Sequence, residues 1–248
     1  SRRVRLAPLG ERLAQGVRPH YEGLRVALAE AAEAASGVAG EVRVGLTTMM
    51  SGGDRLTEVV ETFQRRHPLC RVQLVDIGHD RPVLARLDGD VDLLALRLPL
   101  DRPGYTVGAV LAEEPRVVMV HRKHRLAARA AVTFEDLAGE TVVSIDTVPG
   151  EVIDELYPPR TPSGRPIHRG PKLVSMTEIV AHVALGEIVH PTVTSTERYY
   201  RHPDVVTVPM PGERLSRSGL VWRTGGLSGA ARAFVTVARE LLAGPDGG

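Results

Sequence analysis

The feature that most restricts the fold is the run from Val91 to Leu96, apolar at every position but Asp92. It has strand length, and such a run suits a strand buried on both faces of a sheet. Its neighbours repeat one theme. Val42-Arg43-Val44-Gly45-Leu46 alternates like a strand. Leu56, Val59, Val60 and Phe63 then mark the apolar face of a helix. That helix ends near His67-Pro68, because the residue before a proline avoids helical angles. Arg71-Val72-Gln73-Leu74-Val75 alternates again, and Leu84 and Leu87 lie on a short helix closed by Gly89. Strand, helix, strand, helix, strand is the order of a parallel sheet with covering helices.

The second half repeats this in looser form. Val117 to His121 reads as a strand, Thr133 to Leu137 as a helical turn, Thr141 to Ile145 as a strand and Glu151 to Leu156 as a helix. Pro158, Pro159, Pro162, Pro166 and Pro171 make residues 158–171 a loop. A helix over Met176 to Leu185 and a brief strand at Ile188-Val189 follow. Strands at Val205 to Met210 and Gly219 to Trp222 precede a final amphipathic helix, Ala230 to Leu242.

The N-terminal segment is different. Ser1-Arg-Arg-Val-Arg-Leu6 alternates Arg with apolar residues, and Pro8 suits the first turn of a helix. Ala14, Val17, Tyr21, Leu24, Leu28, Ala31 and Ala35 recur at spacings of three and four, a seam for a partner helix. Pro19 predicts a kink, Gly16 and Gly23 weaken the seam, and Gly37 and Gly40 end it. A start at Ser1 rather than Met reads as a fragment or a processed form.

Composition narrows the function. A net charge of +1 argues against electrostatic nucleic-acid binding by the whole molecule. The single cysteine, Cys70, rules out an intrachain disulfide and fits a reducing, cytoplasmic setting; it reads as a small buried hydrophobe or a redox-sensing thiol. No apolar run approaches the ~18 residues of a membrane helix. His-Glu-x-x-His, Cys-x-x-Cys, a phosphate loop and Gly-x-Ser-x-Gly are all missing. The histidines are scattered, and His121-Arg-Lys-His124 has poor metal-ligand spacing. The expectation is a protein that is not an enzyme and uses no metal or cofactor.

The colinear set of segments resembles the LysR-type transcriptional regulators over nearly the whole chain. Ser1 to Leu13 resembles the wing of their winged helix-turn-helix and the start of their linker helix. Leu56 to Pro68 resembles the first effector-domain helix, Leu87-Asp88-Gly89-Asp90-Val91-Asp92 the turn into a strand, and Glu113-Glu114-Pro115 to Leu126 the crossing between lobes. Phe134-Glu135-Asp136-Leu137 and Ala233-Phe234 also fit. At Gly186-Glu187-Ile188 the chain is shorter than the family pattern, and His190-Pro191 replaces Leu-Pro.

The resemblance implies an α/β fold of two Rossmann-like lobes joined by crossing strands, periplasmic-binding-protein-like, behind a long linker helix. Residues 1–6 would be a wing remnant, 7–40 the dimerisation helix, 41–242 the effector domain and 243–248 a flexible tail. Lobe I would take about 41–117 and 224–242, and lobe II about 121–220. The implied function is transcriptional regulation by a small effector, a carboxylate or an aromatic metabolite, that binds between the lobes and changes oligomer geometry. The implied partners are DNA, through the missing head, and further copies in a homodimer or homotetramer. A solute-binding protein shares the two-lobed fold and is the alternative.

Ligands in open α/β sheets gather beyond the carboxyl ends of strands. The first such end carries Thr47, Thr48, Met49, Met50 and Ser51. Hydroxyls and free N–H groups there suit a small carboxylate, and the methionines offer an apolar wall or core packing. His79 follows the second strand and either binds ligand or caps a helix. Arg97 follows the third, placed for a bidentate carboxylate contact, for solvent or for a dimer contact. In the second lobe, Asp146, Thr147, Met176 and Thr177 would face the cleft. Trp222 would line it or sit half-buried in a core. Arg2, Arg3 and Arg5 would touch DNA phosphates or form a solvated charge run.

Overall fold

A computed structural model describes residues 38–242 and, before them, residues 7, 9, 10, 13, 16–18, 20, 21, 23 and 24. Arg2, Arg3, Arg5, Pro19, Ala14, Leu28, Ala31 and Ala35 lie outside the described residues, as does the 243–248 tail. Leu9, Leu13, Val17, Tyr21 and Leu24 are helical and half-exposed or more.

The first sheet contains β1 (Gly40–Leu46), β2 (Cys70–Asp76), β3 (Leu93–Arg97), β4 (Tyr105–Glu114) and β10 (Ser216–Arg223) in the order β2-β1-β3-β10-β4. β1 runs parallel to β2 and β3, whereas β10 is antiparallel to β3 and β4. β3 is buried along its full length, which explains its apolar sequence. Leu93 and Ala95 join Val42, Val44 and Leu220 under α1 (Met49–Arg66) and the C-terminal helix α5 (Gly229–Leu242). Leu94 and Leu96 point to the other face, with Ile77, Val91 and Val221. Phe63 of α1 meets Phe234 of α5 edge-on at 5.3 Å, and both rings are fully buried.

The second lobe is built on an antiparallel sheet, β8-β5-β9, from β5 (Arg116–His121), β8 (His190–Val193) and β9 (Val205–Pro209). A parallel pair, β6 (Thr141–Ser144) and β7 (His168–Lys172), stands beside it. Helices α2 (Gly150–Leu156), α3 (Met176–Ala184) and α4 (Thr196–Tyr199) complete the lobe. Its core gathers Val118, Val120, Leu126, Leu137, Ile179 and Val183.

Two boundaries differ from expectation. β10 belongs to the first sheet, so the second lobe stops near Met210 rather than at 220. β5 belongs to the second sheet, so the first crossing falls at Pro115 rather than after 117. The chain thus crosses twice, at 114–116 and 210–216. The long strand β4 was not legible, because Gly108, Ala109 and Ala112 give it no clear alternation. Gly108 is needed where it is: a Cβ there would fall 2.4 Å from the Trp222 ring.

The helix after β1 is not continuous. Gly53 has φ 58° and ψ −173°, so one turn, residues 49–52, is set apart from the helix that starts at Asp54. A Cβ on Gly53 would lie 2.9 Å from that of Ala112. Gly53→Ala should therefore cost about 1–3 kcal/mol in left-handed backbone strain and crowding, read as a lowered urea midpoint with an unchanged slope.

Candidate functional site

A cavity of about 60 Å³ lies between the lobes. The first lobe supplies Thr47, Thr48, Met50, Ser51, His79, Leu96 and Arg97. These stand at or just past the C-terminal ends of β1, β2 and β3, which parallel pairing brings side by side. The second lobe supplies Ile145 and Val148, then Val152, Ile153, Leu156 and Tyr157 around α2. Met176 and Ile179 of α3, and His190 to Val193 of β8, finish the wall.

The lobes are fastened together around it. The His79 N–H donates to the Val174 carbonyl at 3.0 Å and the Val83 N–H to that of Thr147 at 2.8 Å. The Thr147 hydroxyl returns a bond to the His79 carbonyl at 3.2 Å. At one rim Arg198 of α4 clasps Asp54 through Nη2, at 2.8 and 2.7 Å. At another, Arg102 binds Glu151 of α2 through Nε at 2.8 Å and Nη2 at 3.0 Å. Both pairs hold their carboxylates below the usual range through these hydrogen bonds.

The polar interior is sparse. Thr47 and Ser51 share a hydroxyl contact at 2.8 Å, and Thr48 reaches Ser51 at 3.0 Å. Arg97 is 7% exposed; its Nη2 reaches Met50 O at 3.4 Å and Glu114 Oε1 at 3.3 Å, while Nη1 has no partner. Burial pushes the Arg97 pKa down and the Glu114 charge pulls it up; a guanidinium remains charged under such opposing pressures. His79 Nδ1 is also buried without a partner, and burial lowers the pKa of that ring. His190 lies 3.4 Å from the Tyr157 hydroxyl. Burial, helped by nearby His79, lowers its pKa to about 3, and burial raises that of the Tyr157 phenol.

Seven expected residues meet at this cavity: Thr47, Thr48, Met50, Ser51, His79, Arg97 and Met176. Five do not line it. Met49 is 53% exposed, turned outward by the one-turn helix. Asp146 points to solvent, where it pairs with Lys172. Thr147 fastens the lobes, and Thr177 is on the exposed side of α3. Trp222 packs in the first-lobe core against Gly108. Sequence reasoning missed the second-lobe wall, whose Ile, Val and Leu residues look like any core. The one usable signal was His190-Pro191, where this chain departs from the family's Leu-Pro.

The buried His190 makes stability pH-dependent. Its folded pKa lies below the ordinary 6.5, so between these values the unfolded chain binds the extra proton. Stability is therefore greatest above pH 6.5 and falls as the solution is acidified. From pH 6.5 to 5, before most carboxylates titrate, the loss should be about 2 kcal/mol. Urea midpoints across that range should fall for the native chain and fall less steeply for His190→Gln, in which His79, its pKa also lowered by burial, still acts in the same direction.

The LysR substrate binding domain model matches residues 35–243. Transcriptional regulator BudR of Raoultella terrigena is 27% identical over 123 residues, covering 50% of this chain and 41% of that protein. The chain spans less than half the length of the curated relatives it matches. Full-length CbnR, solved with its target DNA, superposes with a TM-score of 0.66 at 18% identity over 97% of this chain and 83% of that one. The effector binding domain of QuiR, in complex with shikimate, gives 0.64 at 18% over 83% and 98%. Among the described residues no helix is long and apolar enough to cross a membrane. With two lobes, a double crossing and a family match over most of its length, the chain belongs to the LysR-type regulators and carries their substrate-binding domain.

Proposed function

We propose that this chain is the sensing part of a cytoplasmic transcriptional regulator, in which a small effector held between the lobes changes how copies of the protein assemble. The observation that carries this is the interlobe cavity, walled by both lobes and holding a buried arginine with an unpartnered Nη1. A ligand there touches both lobes at once, so its binding energy depends on their relative position. That is the differential contact an allosteric effector needs. Contact with DNA is assigned to a part of the protein outside this sequence, in keeping with the DNA complex of CbnR. The role is recognition without turnover, as the family reading supports.

Thr47, Thr48, Ser51, His79 and Arg97 are the proposed polar contacts, with Met50 and Met176 as apolar ones. At about 100 times its Kd, an effector should stabilise the fold by about 2.7 kcal/mol, roughly 5–10 °C in Tm for a domain of this size. Thr48→Ala and Ser51→Ala should weaken that ligand about three- to tenfold, the worth of one hydrogen bond; the unliganded Tm should change little in Thr48→Ala and fall by a few degrees in Ser51→Ala, whose buried hydroxyl contacts both threonines. Unchanged binding in both variants would remove the cavity as the effector site.

Self-association is assigned to the N-terminal helix. Leu9, Leu13, Val17, Tyr21 and Leu24 expose 49–79% of their surface, and their spacing of three or four residues suits a partner helix. This stripe favours the regulator reading over a solute-binding protein. Leu13→Asp with Val17→Asp should shift the sedimentation profile toward monomer while leaving effector binding unchanged.

A further inference from the structure

We propose that a crevice at the hinge, behind α2, binds a free α-amino acid with an apolar side chain, held as its zwitterion. The site is separate from the interlobe cavity and goes beyond the functional reading above. Three observations carry it: unpaired charges, an apolar floor and a shared helix.

The crevice lies where the second crossing meets the first sheet. Arg214 and Leu215 come from that crossing, Arg217 from β10, Glu113 from β4 and Glu155 from α2. β10 turns Leu220 and Trp222 toward α1 and Val221 to the other face. Arg217 has the parity of Val221, so it stands on the face away from α1. Glu113 is directly opposite Arg217 in the register of β4 with β10. Residues so paired share a face, with Cβ atoms about 5 Å apart.

The charges decide the ligand. Ionic side chains nearby are paired: Arg97 with Glu114, Arg102 with Glu151 and Arg116 with Glu155. Arg214, Arg217 and Glu113 are exposed and have no side-chain partner among the described residues. Two guanidiniums and one carboxylate thus line one crevice with their charges unmatched. A ligand carboxylate between Arg214 and Arg217 gains charge-assisted hydrogen bonds, and an ammonium beside Glu113 gains a counter-ion. An acid without the amine would be repelled by Glu113. An amine without the acid would meet two like charges. The zwitterion answers both signs.

The floor decides the side chain. Leu98, Leu100, Val107, Val110 and Leu215 supply apolar surface beside these groups. Val107 and Leu215 are 37% and 45% exposed, which leaves area for an apolar side chain to cover.

The helix gives the site its consequence. Glu155 of α2 lines the crevice, whereas Val152, Ile153 and Leu156 line the interlobe cavity. An amino acid in the crevice touches the second crossing and the back of the cavity wall. Its affinity therefore depends on how the lobes sit, and it biases their position in return.

Isothermal titration of the full chain with leucine, 4-methylpentanoate, 3-methylbutylamine and glycine removes one feature at a time. Leucine should bind about tenfold or more tightly than each of the others, which lack one charged group or the apolar side chain. Arg217→Gln and Glu113→Gln should weaken leucine to a similar extent with Tm unchanged, since neither side chain has a partner to lose. Thr48→Ala, in the interlobe cavity, should bind leucine as the native chain does. Leucine should also slow hydrogen exchange in α2. If 4-methylpentanoate or 3-methylbutylamine binds as tightly as leucine, the zwitterion assignment is wrong; if glycine does, the floor plays no part. Unchanged exchange in α2 would overturn the link to the cavity. If neither leucine nor phenylalanine gives heat at millimolar concentration, the site itself is refuted. Leucine binding that is lost in Thr48→Ala but kept in Glu113→Gln would refute the crevice while leaving the functional reading in place.

Discussion

A single buried guanidinium holds the two passages of the chain between lobes in one place. Arg116 is 3% exposed. Its Nε donates to the Arg214 carbonyl at 2.8 Å, joining the first crossing to the second. Its Nη2 pairs with Glu155 of α2, and its face lies 5.6 Å from the centre of the Phe134 ring. Two residues earlier, Glu114 accepts from Arg97 of the first lobe and from Ser195 of the second. The short stretch Glu114-Pro115-Arg116 thus ties both crossings, β3 and α2 into one polar cluster inside an otherwise apolar joint. Removing one partner from such a cluster leaves a buried charge alone, which is far costlier than replacing the whole set.

That joint fixes where the cavity is. β3 pairs with β1 as far as Ala95, opposite Leu46, and with β10 as far as Arg97, opposite Ser218. Arg97 then emerges beside the Thr47 turn, where its Nη2 reaches Glu114 and the Met50 carbonyl. The break at Gly53 matters for the same electrostatics. It starts the longer helical segment at Asp54, whose carboxylate is spent on Arg198 at the rim. The charge facing the cavity therefore comes from a side chain rather than from the end of a long helix.

The legible part of this molecule was its period. Runs such as Val42 to Leu46 and Val91 to Leu96 announce strands, and residues just past their ends, Thr47, Thr48, His79 and Arg97, could be located by the rule that open sheets bind ligands there. What failed has physical reasons. Asp146 and Thr177 also sit at element ends, but exposed side chains at those positions are equally stable facing bulk water. β10 was split between lobes because nothing in a strand's own residues says which sheet will receive it. Ile145, Ile153 and Ile179 were invisible as site residues, since a wall that waits for a ligand and a wall that packs on protein have the same composition.

The two lobes contribute unlike things to the cavity. The strand ends of the first supply most of its hydrogen-bonding groups and its one fixed charge. The second supplies, through α2 and α3, most of its surface shape. Shape and charge are thus encoded in separate stretches of sequence, with the joint between them. Drift in α2 and α3 can recontour the chamber for a bulkier or slimmer guest without disturbing the receptor for its head group. Descendants of one such gene can diverge in what they sense while keeping the polarity of what they sense.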